Sequence, residues 1–247
     1  MNLAQNTAKI GLIAQAILFD QGTLELYQGS IPASPETALS SAVALGSWTF
    51  SIPDIGTPSF GSGQMSATVS FVSTSMTPSV NGTACFARAT LASAAWAASH
   101  VYAVGDIVTN NSNFYLCILA GTSAASGGPT TAVWGITDGT AGWAYIGASS
   151  GQNNVLCDLI VGAAWVASTA VIVGQYATNG GNLYLCSQAG TTASSGGPSG
   201  TGSGIVDGSA KWNYGAAGGA DITLSSSTIT ANVAVTMSSA SFFVPAV

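Results

Sequence analysis

Charge is what this chain has least of. Among 247 residues there are 3 Lys+Arg, 9 Asp+Glu and 1 His, so charged residues make up 5% of the chain, against the roughly 25% of an ordinary soluble domain. So few cations cannot lay down the basic footprint that nucleic acid demands, which excludes most nucleic-acid partners. A net charge of −6 offers no attraction to an anionic membrane surface. One histidine and scattered acids leave little material for acid–base or metal chemistry, and no cofactor is expected. Cysteine is also sparse. Cys85, Cys117, Cys157 and Cys186 show no CxxC spacing, which argues against a zinc site. They are expected as reduced thiols packed like small hydrophobes, with Cys85 and Cys157 in strands that could be neighbours. No run approaches the ~20 apolar residues of a membrane-spanning helix. The longest, Ile10 to Phe19, contains Gln15. No basic segment followed by an apolar segment and a cleavage site marks a secretory leader.

What is present is small, uncharged and β-favouring. Hydrophobic residues are 47% of the chain, drawn heavily from Ala and Val, and there are 31 Gly amid many Ser and Thr. Weak charge repulsion favours association, so a homo-oligomer or a member of a larger particle is expected.

The strongest signal is an internal repeat. Ala94-Ala95-Trp96 returns as Ala163-Ala164-Trp165, an offset of 69 residues, and the match runs without a gap to Tyr145 and Tyr214. Shared positions include Asn110/Asn179, Tyr115/Tyr184, Cys117/Cys186, Ser126-Gly127-Gly128-Pro129/Ser195-Gly196-Gly197-Pro198, Asp138-Gly139/Asp207-Gly208 and Trp143/Trp212. Each copy reads as a small β-module. The hairpin signature Asp106–Thr109, Asn111-Ser112-Asn113 and Phe114–Leu119 is followed by a Gly/Ser/Pro loop. Asp138-Gly139 then turns into a last strand around Trp143–Tyr145.

Outside the repeats the pattern changes. Asn2 to Phe19 has apolar residues at helical spacing, which predicts a short N-terminal helix. Strands are predicted at Thr23–Tyr27, Ser47–Phe50, Met65–Phe71, Thr83–Leu91, Asn154–Val161, Ala220–Leu224, Asn232–Met237 and Ala240–Val244. About eight strands with turn signals between them give an all-β chain with a β-sandwich base. The base comprises residues 1–93, 149–162 and 217–247. It is interrupted by two homologous β-modules, 94–148 and 163–216. If the strands around Arg88 and Val155 pair, the first module leaves at one end of the pair and the second at the other.

Two resemblances follow from these residues. The base is similar to a family of small tailed-phage structural proteins. The likeness is carried by Gly22–Gly29 with Pro32-Ala33, Asn81-Gly82-Thr83-Ala84 with Phe86, Ala220–Leu224, and the ending Val233–Pro245. The repeats resemble chitin- and cellulose-binding-type modules through Trp96, Tyr102, Gly105-Asp106, Val108, Asn113, Tyr115, Cys117, Pro129 and Trp143. Repeat two departs at Val171 and Gln175, which replace Tyr102 and Asp106. The resemblance implies a structural protein of a phage virion, and the short chain, the lack of a repetitive fibre shaft and the apolar N-terminal segment favour a capsid decoration or cement protein on the virion exterior, assembled in the host cytoplasm. Its partners would be copies of itself, major capsid or tail proteins, and glycans. A tail or baseplate adhesin, or a free-standing glycan-binding protein, is the alternative.

Sugar rings stack their apolar faces on exposed aromatics. The candidate platforms are Trp96, Tyr102, Trp134, Trp143 and Tyr145 in repeat one, and Trp165, Tyr176, Trp212 and Tyr214 in repeat two. The competing reading makes Trp96/Trp165, Tyr115/Tyr184 and Trp143/Trp212 the module cores, since so small a module has few other large groups to bury. Trp134 is replaced by Ser203 in repeat two, which points to an exposed contact rather than a core position. Asp138 and Asp207 read as turn residues. Asp106 has no acidic counterpart, so no carboxylate pair is repeated and no enzyme is expected.

Overall fold

Alternation of apolar and polar residues sets the base. In a computed structural model, residues 22–55, 59–61, 64–150 and 154–245 are described. Among them the chain is all-β, with no helix. The helix expected within Asn2–Phe19 lies outside the described residues. Seven strands form a ring in the base: β1 (Thr23–Gln28), β2 (Val43–Ile55), β3 (Gln64–Phe71), β4 (Phe86–Thr90), β5 (Val155–Ala164), β6 (Ile222–Leu224) and β7 (Val235–Pro245). The two strands expected across Asn232–Val244 are one continuous strand, β7.

These strands pair in a closed circuit. Moving round it, β1 lies beside β2, then come β3, β7, β6, β5 and β4, and β4 pairs with β1 again. All of these pairings are antiparallel except β5 with β6, where Val161 faces Ile222 and Gly162 faces Thr223. A parallel pair needs a long crossover, and the whole second repeat supplies it. Inside the ring, Leu24 and Leu26 of β1 meet Ala87 and Ala89 of β4, and Trp48, Phe50, Leu159, Val161, Ile222 and Leu224 complete the cluster. The small Ala87 and Ala89 leave room for the large neighbours. A period of two puts Glu25, Tyr27 and Arg88 on the opposite face.

β4 and β5 pair antiparallel, with Val155 opposite Thr90 and Ile160 opposite Phe86. Repeat one therefore departs beside Thr90 and repeat two beyond Ala164, at opposite ends of this hairpin. Repeat one forms its own five-stranded sheet, in the order Trp134–Asp138, Ala141–Ala148, Asn113–Leu119, Ile107–Asn110, Ala94–Ala95. Repeat two repeats that order, but its sheet is continuous with the base, because β5 runs on through Ala163-Ala164 and pairs with Tyr176–Asn179. The buried apolar side chains fall into three clusters: one in the ring, one around Trp143 and one around Trp212.

On the outer face of β4, Arg88 is buried and holds Asp158 of β5 through two bonds, Nε to Oδ1 at 2.7 Å and Nη2 to Oδ2 at 2.8 Å. Nη1 also donates to the Thr37 carbonyl at 3.2 Å, which ties down the loop after β1. The bond to Asp158 pushes the guanidinium pKa up, against the opposing effect of burial. Nearby, burial pushes the Cys157 thiol up to about 12, with Asp158 and Asp221 adding to it. All four cysteines are free. Cys157 sits opposite Ala89, whereas the Cys85 carbonyl accepts from Val161, so the two thiols lie at different levels of the hairpin.

Removing one partner of a buried pair leaves an uncompensated charge, a loss of about 3–5 kcal/mol. Asp158→Ala is expected to lower the urea midpoint accordingly, and the double variant Arg88→Met/Asp158→Leu to recover most of it. The Cys157 pKa lies above that of an ordinary thiol, about 9. The folded state thus favours the neutral thiol, and this contribution is complete below about pH 9 and lost as pH rises toward 12. Thiol alkylation at pH 8 should accordingly be slow in the native chain and complete in urea, with mass spectrometry locating the label.

Candidate ligand-contact surface of the repeats

Each repeat is held by a carboxylate that sequence reasoning treats as a turn residue. Asp138 is buried. Its Oδ2 accepts the indole N–H of Trp96 at 2.8 Å and that of Trp143 at 3.2 Å, while Oδ1 accepts the Ala124 N–H at 2.9 Å. Repeat two reproduces the clasp: Asp207 accepts from Trp165 at 2.7 Å, Trp212 at 3.0 Å and the Ala193 N–H at 2.9 Å. Three donors thus satisfy each buried carboxylate by hydrogen bonding. Gly139 follows at φ +66°, where a Cβ would stand 2.3 Å from the Thr122 carbonyl oxygen. The Asp-Gly pair is thus fixed by a buried acceptor and a tight turn together.

The Gly-Gly-Pro loop is a lid on the first tryptophan. Asn110 Nδ2 donates to the carbonyls of Gly127 and Pro129, both at 2.9 Å. Asn179 does the same to Gly196 at 2.9 Å and Pro198 at 3.0 Å. This draws Gly128 onto Trp96, close enough that a Cβ would lie 2.8 Å from the ring. Gly197 covers Trp165 in the same way. The hairpin turn Asn111-Ser112 has φ +52° and +60°, and its counterpart in repeat two is Gly180-Gly181. Both satisfy a two-residue turn that needs positive φ at both positions.

The nine candidate platforms separate sharply by exposure. Trp143 and Trp212 are fully buried, and Tyr102 and Tyr176 are buried. Tyr102 packs edge-on against Trp143 at 4.8 Å, and its hydroxyl accepts the Ala97 N–H at 2.8 Å. Trp96 and Trp165 are half-buried beneath their glycine lids. Tyr145 and Tyr214 are half-buried and lie edge-on to Tyr115 at 6.0 Å and Tyr184 at 6.2 Å. Trp134 alone stands open, 74% exposed at the start of an edge strand, beside Val133 at 55%.

One of the two departures of repeat two, Gln175 for Asp106, has a structural explanation. Asp106 Oδ2 accepts the Ala103 N–H at 2.7 Å. Gln175 Oε1 accepts the Ile172 N–H at 3.2 Å, so the same turn is closed by either side chain. Gln175 has a second group to spend, and its Nε2 donates to Ser227 Oγ of the base at 2.9 Å. Neither repeat keeps a carboxylate free of structural bonds, and the described residues contain no cluster of three or more potential metal ligands.

No family model, curated protein or solved structure matches this chain.

Asp138→Ala strands two indole donors and one amide, each unmet buried group costing about 1–3 kcal/mol. Repeat one is expected to lose its near-UV circular dichroism or unfold at a separate, earlier urea midpoint, while the Arg88-dependent transition of the base persists.

Proposed function

We propose that this chain is a non-enzymatic structural protein of a phage virion, most specifically a capsid decoration protein that displays two carbohydrate-binding-like modules outward. The base supports this reading through the motifs that resemble tailed-phage structural proteins, and these motifs have identifiable physical roles here. Gly22–Gly29 contains β1. Asn81 Oδ1 accepts the Ala231 N–H at 2.8 Å and Asp221 Oδ2 accepts the Ile160 N–H at 2.8 Å. Both pin crossings between distant parts of the chain.

The observation that carries the binding role is the unequal use of aromatic residues. Of the nine candidates, Trp134 is the one whose face is mostly in water. Exposing an indole costs solvation free energy, and a ligand with apolar CH faces would recover it. Contacts of this size are weak singly, and many copies on a lattice would make them effective through avidity.

Two measurements test the reading. Mass spectrometry and reconstruction of purified particles should find the chain at a high, symmetry-related copy number. Pull-down on insoluble chitin should retain the native chain, and Trp134→Ala should lose most of that retention with an unchanged urea midpoint. Retention without particle association would instead favour a free-standing glycan binder.

A further inference from the structure

Among the described residues, the two repeats meet the base differently, and the difference leaves one face open. In repeat two, the segment Ser225–Thr228 of the base lies along Ala163, Thr169, Val171, Gln175 and Tyr176. Gln175 reaches Ser227 there through a buried hydrogen bond of 2.9 Å. The seated segment directly follows β6, whose Ile222 and Thr223 pair with Val161 and Gly162. What remains between the surfaces is a cavity of about 50 Å³.

The offset of 69 residues carries this surface onto Ala94, His100, Tyr102, Asp106 and Ile107 of repeat one. There it is an open cavity of about 570 Å³, lined among the described residues by 92–108 alone. Ala92 and Ser93 occupy the positions at which Val161 and Gly162 receive β6. Val104 is 59% exposed on the cavity lining. Asp106 stands where Gln175 does. It presents an acceptor where the amide presents a donor, and a hydroxyl can answer either.

We propose that this cavity is a docking groove for an extended, uncharged, Ser/Thr-rich strand of a neighbouring protein other than this chain. The occupant's chemistry is read from the duplicated surface, which takes Ile222–Thr228, an Ile-Thr-Leu strand running into Ser-Ser-Ser-Thr. A second copy cannot supply that same segment, because it is committed to its own ring. Backbone pairing at Ala92-Ser93 would give affinity, and the Asp106 acceptor with the Val104 and Ile107 side chains would read alternate residues of the strand. The groove is independent of the glycan reading, since Trp134 does not line it.

His100 lines the groove, packs 4.6 Å from Tyr102, and is the one histidine of the chain. Its imidazole proton resonances therefore report on this site alone. The probe is an acetylated and amidated peptide of residues 222–231, titrated into the full chain. The expected result is a saturable shift at His100, weakened about tenfold or more by Val104→Glu, which buries a charge, and unchanged by Trp134→Ala. Should Val104→Glu fail to fold, Ser93→Arg makes the same test from the other wall. Absence of a saturable shift at millimolar peptide overturns the proposal, as does equal affinity in the groove variants. It is also overturned if chitin oligosaccharide moves His100 in place of the peptide, or if the signal moves on dilution of the chain alone, which would assign the groove to a second copy.

Discussion

One strand, Val155–Ala164, carries most of the connectivity of this molecule. Its first half pairs with Phe86–Thr90, its middle with Ile222–Leu224, and its last residues with Tyr176–Asn179. The first two contacts close the ring of the base, and the third starts the sheet of repeat two. Closure matters especially in a chain this poor in charge. Sheet edges are commonly protected by lysine and other charged side chains, and 3 Lys+Arg cannot serve that purpose across so many strands. A ring pairs each of its edges internally and needs no charged guard.

Within each repeat, a different economy operates. A module of this size has too little apolar surface for a large core, so a single carboxylate organises two tryptophans and a backbone amide. The second tryptophan is packed away completely, and the first is capped by a glycine-rich loop that an asparagine clamps in place. Asp138 and Asp207 are thereby structural acceptors, and the resources of the module go into holding shape. What the clasp does not consume is Trp134 and the groove of repeat one, the two surfaces on which the proposals rest.

The duplication was legible because identical spacing of Trp, Tyr, Cys, Asp-Gly and Gly-Gly-Pro survives in both copies. Hairpin turns, strand alternation and the pairing of the Arg88 and Val155 strands were legible for the same local reason. Residues two apart share a face, and positive-φ turns demand Gly, Asn or a similarly tolerant residue. The clasp was not legible. Asp138 lies 42 residues from Trp96, and an Asp-Gly pair reads as a turn whether or not its carboxylate is buried. Nor could sequence rank the nine aromatic candidates by exposure, apart from Trp134, whose replacement by Ser203 marked it as dispensable to the module.

By itself the sequence determined that the chain is all-β, that it carries a 69-residue internal repeat, and that charged side chains are scarce in it. These follow from composition and short-range periodicity, which act before any long-range contact forms. Only the tertiary structure decided that the base closes into a ring, that repeat two shares a sheet with it, and that no described residue of the base covers the matching face of repeat one. Those outcomes depend on which distant edges find one another. Two homologous modules can therefore end in different surroundings, because the strands that flank them supply different neighbours.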